Sequence, residues 1–194
     1  MQALLTVSRL IDAINSRLGK WVSWLVVIVV IISAGNAISR KMFDLSSNAW
    51  LELQWIMFSV IFMVCSPWTL MSNEHIRIDI VNSLFPRQVR NLIDVFGHVA
   101  FLLPLTIVMI VTGWPFFLAS FRLNEQSFNA GGLPQWPAKS LVVIGFTLLF
   151  FQGISELIKR IAVMTGSIPD PYEHSLHPAE AEAERLLADI KPEK

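Results

Sequence analysis

The most informative ionisable residue in the chain is Glu52. It lies in an apolar run that begins near Ala49 and ends near Met71, where a charge is costly unless it is paired or hydrated. Steps of seven from it reach Ser59 and Ser66 on nearly the same helical face, and Trp55 adjoins them. One chemistry such a stripe can carry is ion or proton handling. The other is structural. A carboxylate near a helix N-terminus is favoured by the helix dipole or held in an ion pair, and small polar residues make a seam for close packing in lipid.

Asp94 and His98 are four residues apart and share a helical face, a spacing that suits a local pair or a proton relay. The other histidines are His75, His174 and His177, and only His98 lies in or near an apolar span. Membrane haem needs histidines facing each other across spans, so no haem is expected. The single cysteine, Cys65, excludes an internal disulfide and reads as a small buried side chain. No HExxH, GxSxG or phosphate-binding glycine loop is present. The reading is therefore of a chain that is not an enzyme and needs no cofactor or metal. Net charge is zero and no basic patch is interleaved with aromatics, which excludes nucleic acid as a partner.

The elements that hold these residues are apolar blocks. Of the 194 residues, 54% are hydrophobic and only 15% charged, against about 25% in an ordinary soluble domain. About 20 apolar residues cross a bilayer. Four spans satisfy this, at about 21–39, 49–71, 92–119 and 138–158. An all-α integral membrane domain over 21–165 follows. Pro67 is expected to kink the second span, and Pro104 and Pro115 are bend points in the third. Gly131, Gly132, Pro134 and Pro137 break the connection before the fourth span.

Ahead of the first span, Leu4, Val7, Ile11, Ile14 and Leu18 recur at three- and four-residue steps. They predict an amphipathic helix over 1–20 that rests on membrane lipids; packing on a partner protein is the other reading of the same stripe. Residues 166–194 read as a polar, acidic tail. Trp21 and Trp136 fall near span ends and fit the interfacial belt, with Arg40 and Lys41 as anchors.

Lysine and arginine distribution sets topology. With a cytoplasmic N-terminus, the inner segments hold Arg9, Arg17, Lys20, Arg77, Arg87, Arg90, Lys159, Arg160, Arg185, Lys191 and Lys194. The outer ones hold Arg40, Lys41, Arg122 and Lys139. Eleven against four predicts both termini in the cytoplasm.

Three local features occur in order: Trp50-Leu51-Glu52-Leu53-Gln54-Trp55, then His75-Ile76-Arg77-Ile78-Asp79, then Gly132-Leu133-Pro134-Gln135-Trp136-Pro137 followed by Gly145. Together they resemble the small membrane subunit of TRAP (tripartite ATP-independent periplasmic) transporters. The resemblance covers about residues 10–165. One departure is visible. Many members carry a proline just before the glycine of the fourth span, where this chain has Val142-Val143-Ile144.

The resemblance implies an accessory subunit in a bacterial inner membrane. Its partners would be a large multi-spanning transport subunit and, through the complex, a periplasmic substrate-binding protein. Sodium-driven uptake of organic acids is what the family implies. Trp50, Glu52, Gln54, Trp55, Ser59, His75, Arg77 and Asp79 would then serve the partner interface or the fold. The alternative is a self-sufficient four-helix transporter with Glu52 as its coupling carboxylate. A membrane enzyme or redox anchor is the third reading.

Overall fold

The computed structural model describes residues 1–44, 47–72 and 87–168. Four helical stretches among them are long and apolar enough to cross a membrane: Gln2–Phe43, Asn48–Met71, Val89–Arg122 and Trp136–Met164. The chain is thus an all-α, multi-pass membrane protein.

The first stretch consists of α1 (Gln2–Ser23) and α2 (Leu25–Phe43). They part only at Trp24, where Trp24 N–H bonds the Trp21 carbonyl at 3.3 Å and Val27 N–H bonds the Trp24 carbonyl at 3.2 Å. These i→i+3 bonds tighten one turn without ending the helix. α2 stops at Asp44, which takes a left-handed φ of 53°, a conformation that Asp tolerates better than most residues. α3 (Asn48–Met71) continues through the buried Pro67.

The third stretch is α4 (Arg87–Gly97), a π segment (His98–Leu102) and α5 (Leu103–Arg122). The irregularity comes just before Pro104. A proline ring there cannot donate to the carbonyl four residues back and would clash with it. The helix widens instead, and Leu103 N–H bonds the His98 carbonyl five residues back. The helix passes through Pro115, the other expected bend point, without a π turn. α6 (Trp136–Met164) is the longest single helix among the described residues.

α5 packs along α6, α3 packs on α6, and α1 lies against both α3 and α6. α2 packs almost wholly on α3. Close approach is licensed by glycine. A Cβ on Gly145 of α6 would lie 2.7 Å from the Met63 Cβ of α3 and 3.1 Å from its carbonyl oxygen. Gly145→Val is therefore expected to force the two helices apart at a cost of about 1–3 kcal/mol. Gly35→Ala in α2, where the added carbon meets nothing within 4 Å, should leave stability unchanged. Thermal melts of the two variants in detergent make the comparison.

The interior has the polarity of a lipid-solvated protein. Among the described residues the buried ones include Ser8, Asn15, Glu52, Gln54, Asn91, Thr106, Ser120, Gln152 and Ser155, beside only Val29, Val64, Val143 and Ala162 as buried hydrophobics. Leu, Ile, Val and Phe side chains cover the outside of every helix. Hydrocarbon gives no reason to hide apolar groups but leaves polar groups without partners, so the latter turn inward. α1 follows the same rule: Leu4, Val7, Leu10, Ile14 and Leu18 point out, while Ser8, Asn15 and Gly19 are buried.

Candidate functional site

Polar side chains gather at the two ends of the bundle. One end carries the α5–α6 connection and the start of α3. The other carries α1, the last turns of α6, and α4.

At the connection end, residues 123–135 form a compact folded loop. Ser127 N–H bonds the Leu133 carbonyl at 3.1 Å, Gln135 N–H bonds the Glu125 carbonyl at 2.8 Å, and Gln126 and Pro134 make an antiparallel bridge. The turn between them closes with Gly132 N–H on the Asn129 carbonyl at 3.0 Å. Gly131 there has φ 71°, the left-handed value that the third residue of such a turn needs.

Glu52 sits in the second turn of α3, and helical side chains lean toward the N-terminus. Its carboxylate therefore meets this loop. Oε1 accepts from the Ser127 hydroxyl and from Asn129 Nδ2 at 2.8 Å, and Oε2 accepts from the Leu133 N–H at 2.6 Å. Asn48 Nδ2 adds a fourth tie, donating to the Ala130 carbonyl at 3.0 Å. Glu52 is left 5% exposed. Gly132 lets the loop come this near, since a Cβ there would lie 2.7 Å from Glu52 Oε1. The carboxylate is satisfied by neutral donors, not by the ion pair weighed from sequence.

Beside this clamp, Lys139 in the first turn of α6 pairs with Glu125 and stands 4.2 Å from the centroid of the Phe116 ring. The Lys139 ammonium holds the Glu125 carboxyl below the ordinary carboxylate range. A carboxyl with a lowered folded pKa stabilises the fold above its unfolded value, and the contribution is lost as pH falls through the folded one. The melting temperature is thus expected to decline below about pH 4, and Glu125→Gln should remove that part of the acid dependence. Because Glu125 is one-third exposed, the effect is small.

The other sequence candidates scatter. Trp50 and Trp55 are exposed. Gln54 is buried, and its Nε2 has no acceptor among the described residues. Ser59 is half-buried and bonds the Trp55 carbonyl of its own helix at 2.9 Å. Trp21, Arg40 and Lys41 are exposed, and Trp136 stacks edge-on against Phe121 at 5.3 Å. His75, Arg77 and Asp79, and the tail beyond residue 168, lie outside the described residues.

The opposite end holds a cluster that sequence reasoning missed. Ser8, Asp12 and Asn15 lie on one face of α1; Gln152, Ser155, Glu156 and Lys159 lie on one face of α6. Asn15 Nδ2 donates to Gln152 Oε1 at 2.7 Å. Gln152 Nε2 donates to Asp12 Oδ1 at 2.8 Å and to Glu156 Oε1 at 3.0 Å. The Ser155 hydroxyl donates to Asp12 Oδ1 at 2.8 Å, and the Ser8 and Ser155 hydroxyls lie 2.7 Å apart. Lys159 bridges Asp12 Oδ2, at 3.1 Å, and Glu156. The signal was present as a polar stripe, Gln152, Ser155, Glu156 and Lys159, closing an otherwise apolar span. From sequence Lys159 counts only as a topology charge.

Asp94 and His98 do not form the side-chain pair that their spacing suggests. His98 Nδ1 bonds the Asp94 backbone carbonyl at 2.7 Å. The Asp94 carboxylate instead takes Arg160 of α6 at 2.6 Å, and Arg160 also donates to Asn91 Oδ1 at 3.3 Å. A full positive charge on a neighbouring helix outcompetes a ring one turn away. No group of three or more His, Cys, Asp or Glu side chains among the described residues is placed to hold a metal ion.

The polar groups thus hold helices and a loop together. A comparison with curated proteins and one with solved structures gave no match. A protein family described as "Tripartite ATP-independent periplasmic transporters, DctQ component" matches residues 29–163. The matched stretch contains Glu52, its loop and the α6 half of the polar cluster, and leaves out Ser8, Asp12 and Asn15 of α1. Components of this family are parts of transporters and not enzymes. On the strength of a match spanning most of its length, this membrane chain belongs to the DctQ family, the small membrane component of tripartite ATP-independent periplasmic transporters.

Proposed function

We propose that the chain is the scaffold of a sodium-coupled TRAP transporter for organic acids or similar solutes. In this reading it binds and stabilises the large multi-spanning subunit, to which a periplasmic substrate-binding protein delivers the solute. The observation that carries this reading is the state of Glu52. Both of its oxygens are taken by loop donors. The carboxylate that a self-sufficient transporter would use is already committed to holding its own fold. A midplane solute site normally requires broken helices or converging polar groups, and the clusters here lie at the bundle ends.

In the same reading the protein sits in the bacterial inner membrane with both termini in the cytoplasm, as the lysine and arginine bias supports. α1 lies along the cytoplasmic leaflet surface. Its apolar stripe faces outward, and its polar contacts pass from Ser155 and Gln152 of α6 to Cys65 of α3 at Gly19, so it crosses these helices. Trp55, exposed on α3, is offered to the large subunit, while Arg40 and Lys41 anchor at the periplasmic interface.

Purification in a mild detergent from a host that also makes the large subunit is expected to recover the two together. Reconstituted alone in liposomes, this chain should move no solute. Solute flux driven by an ion gradient through the chain alone would overturn the proposal.

A further inference from the structure

The loop clamped by Glu52 carries Phe128 at its tip, and this side chain is 102% exposed. The clamp brackets it. The side chains of Ser127 and Asn129, its two neighbours, both donate to Glu52 Oε1, so the residue on each side is tied to α3 while the ring stays exposed. Leaving a phenyl ring in water costs about 2 kcal/mol relative to burying it, and a loop this well tied has no fold-related need for it.

The place of the tip in the bundle points to what surrounds the ring. Ser127, Asn129, Ala130 and Leu133 are bonded to Asn48 and Glu52, so the loop folds back over the start of α3 instead of reaching into solvent. The exposed Trp50 and Phe121, and the half-buried Trp136, belong to the same end of the bundle. Aromatic side chains collect at the boundary between headgroups and acyl chains. Residues 126–135 include no charged side chain, whereas a loop meant for water normally does.

We infer that the Glu52 clamp presents Phe128 to the lipid surface, where the ring inserts at the boundary between headgroups and acyl chains and fixes the depth of this end of the bundle. The inference rests only on the helices lying in a bilayer, so it holds or fails independently of the proposed transporter partner.

Site-directed spin labelling of the full chain tests it. Phe128→Cys in a Cys65→Ser background carries a nitroxide in vesicles of phosphatidylcholine and phosphatidylglycerol. Collision rates with oxygen, which concentrates in the membrane, and with a water-soluble nickel chelate report depth. The expected result is an oxygen-favoured ratio at the depth of the headgroup boundary, with a motionally restricted spectrum. Glu52→Gln should then mobilise the label and raise nickel access at least twofold. If that variant does not fold, Ser127→Ala provides the same comparison more mildly. Nickel access equal to that of a label in bulk water would overturn the inference. Protection from both reagents, the mark of a ring covered by protein, would overturn it as well.

Discussion

Glu52→Leu is expected to lower the stability of the detergent-solubilised bundle by about 3 kcal/mol, since hydrogen bonds to a charged group contribute roughly 1.5–3 kcal/mol each. Three such bonds end on this carboxylate, but they share one loop, so their losses do not add. The freed donors are also near the surface and regain water. The melting temperature should fall on the order of 10 °C, with the loop exposed to protease at Phe128 before the helices separate. Glu52→Gln keeps the volume and one acceptor oxygen but turns an NH2 group toward donors that need an acceptor, so it should come close to the leucine variant. A melt within a degree of the parent would show that the loop does not depend on the carboxylate. The glutamine variant also separates the two functional readings. Normal melting and normal assembly with the large subunit, but no transport by the complex, would move Glu52 from a structural role to a coupling one.

The second large effect is expected at Asp12. Its carboxylate receives Gln152, Ser155 and Lys159 at once. Asp12→Ala removes the acceptor shared by Gln152 and Ser155 and one of the two carboxylates on Lys159, which keeps Glu156. Hydrogen bonds to a charged group contribute roughly 1.5–3 kcal/mol each and do not add here, so a loss of about 3 kcal/mol is expected. Ser8→Ala removes a neutral bond in the same cluster and should cost only about 0.6 kcal/mol, the average for hydrogen bonds between membrane helices. The contrast between the two is the diagnostic feature. α1 should come loose in Asp12→Ala, visible as early proteolysis between Arg9 and Lys20 while α3, α5 and α6 stay protected. Adding Lys159→Met should not recover the loss, because Glu156 still compensates the ammonium when Asp12 is gone. Equal costs for Ser8→Ala and Asp12→Ala would mean that the charge is solvated and the cluster only incidental.

These expectations show how unevenly the site could be read from the chain. Glu52 was conspicuous because a carboxylate in an apolar run violates a local rule, and a local rule needs no partner to be broken. Its donors could not be found that way. Ser127 and Leu133 are 75 and 81 residues further along, and nothing in a Gly- and Pro-rich connection says which carboxylate it will fold onto. Asp94 and His98 show the opposite failure. Their four-residue spacing was a sound reason to expect contact, but Arg160, 66 residues later, offered the carboxylate a stronger bond.

α1 divides the two kinds of information most clearly. Its polar and apolar faces are written in the sequence, as is the place of each of the four apolar stretches, because periodicity and the thickness of a bilayer act on consecutive residues. The direction each face turns is not. In water the apolar stripe of Leu4, Val7, Ile14 and Leu18 would be covered; against lipid it stays outside while Ser8, Asp12 and Asn15 find Gln152, Ser155 and Lys159. The chain by itself determined an all-helical membrane protein, its four spans and one anomalous carboxylate. Which polar groups satisfy one another was decided only by tertiary packing, since hydrocarbon provides no alternative partner and the pairing depends on which helices come within about 3 Å of each other.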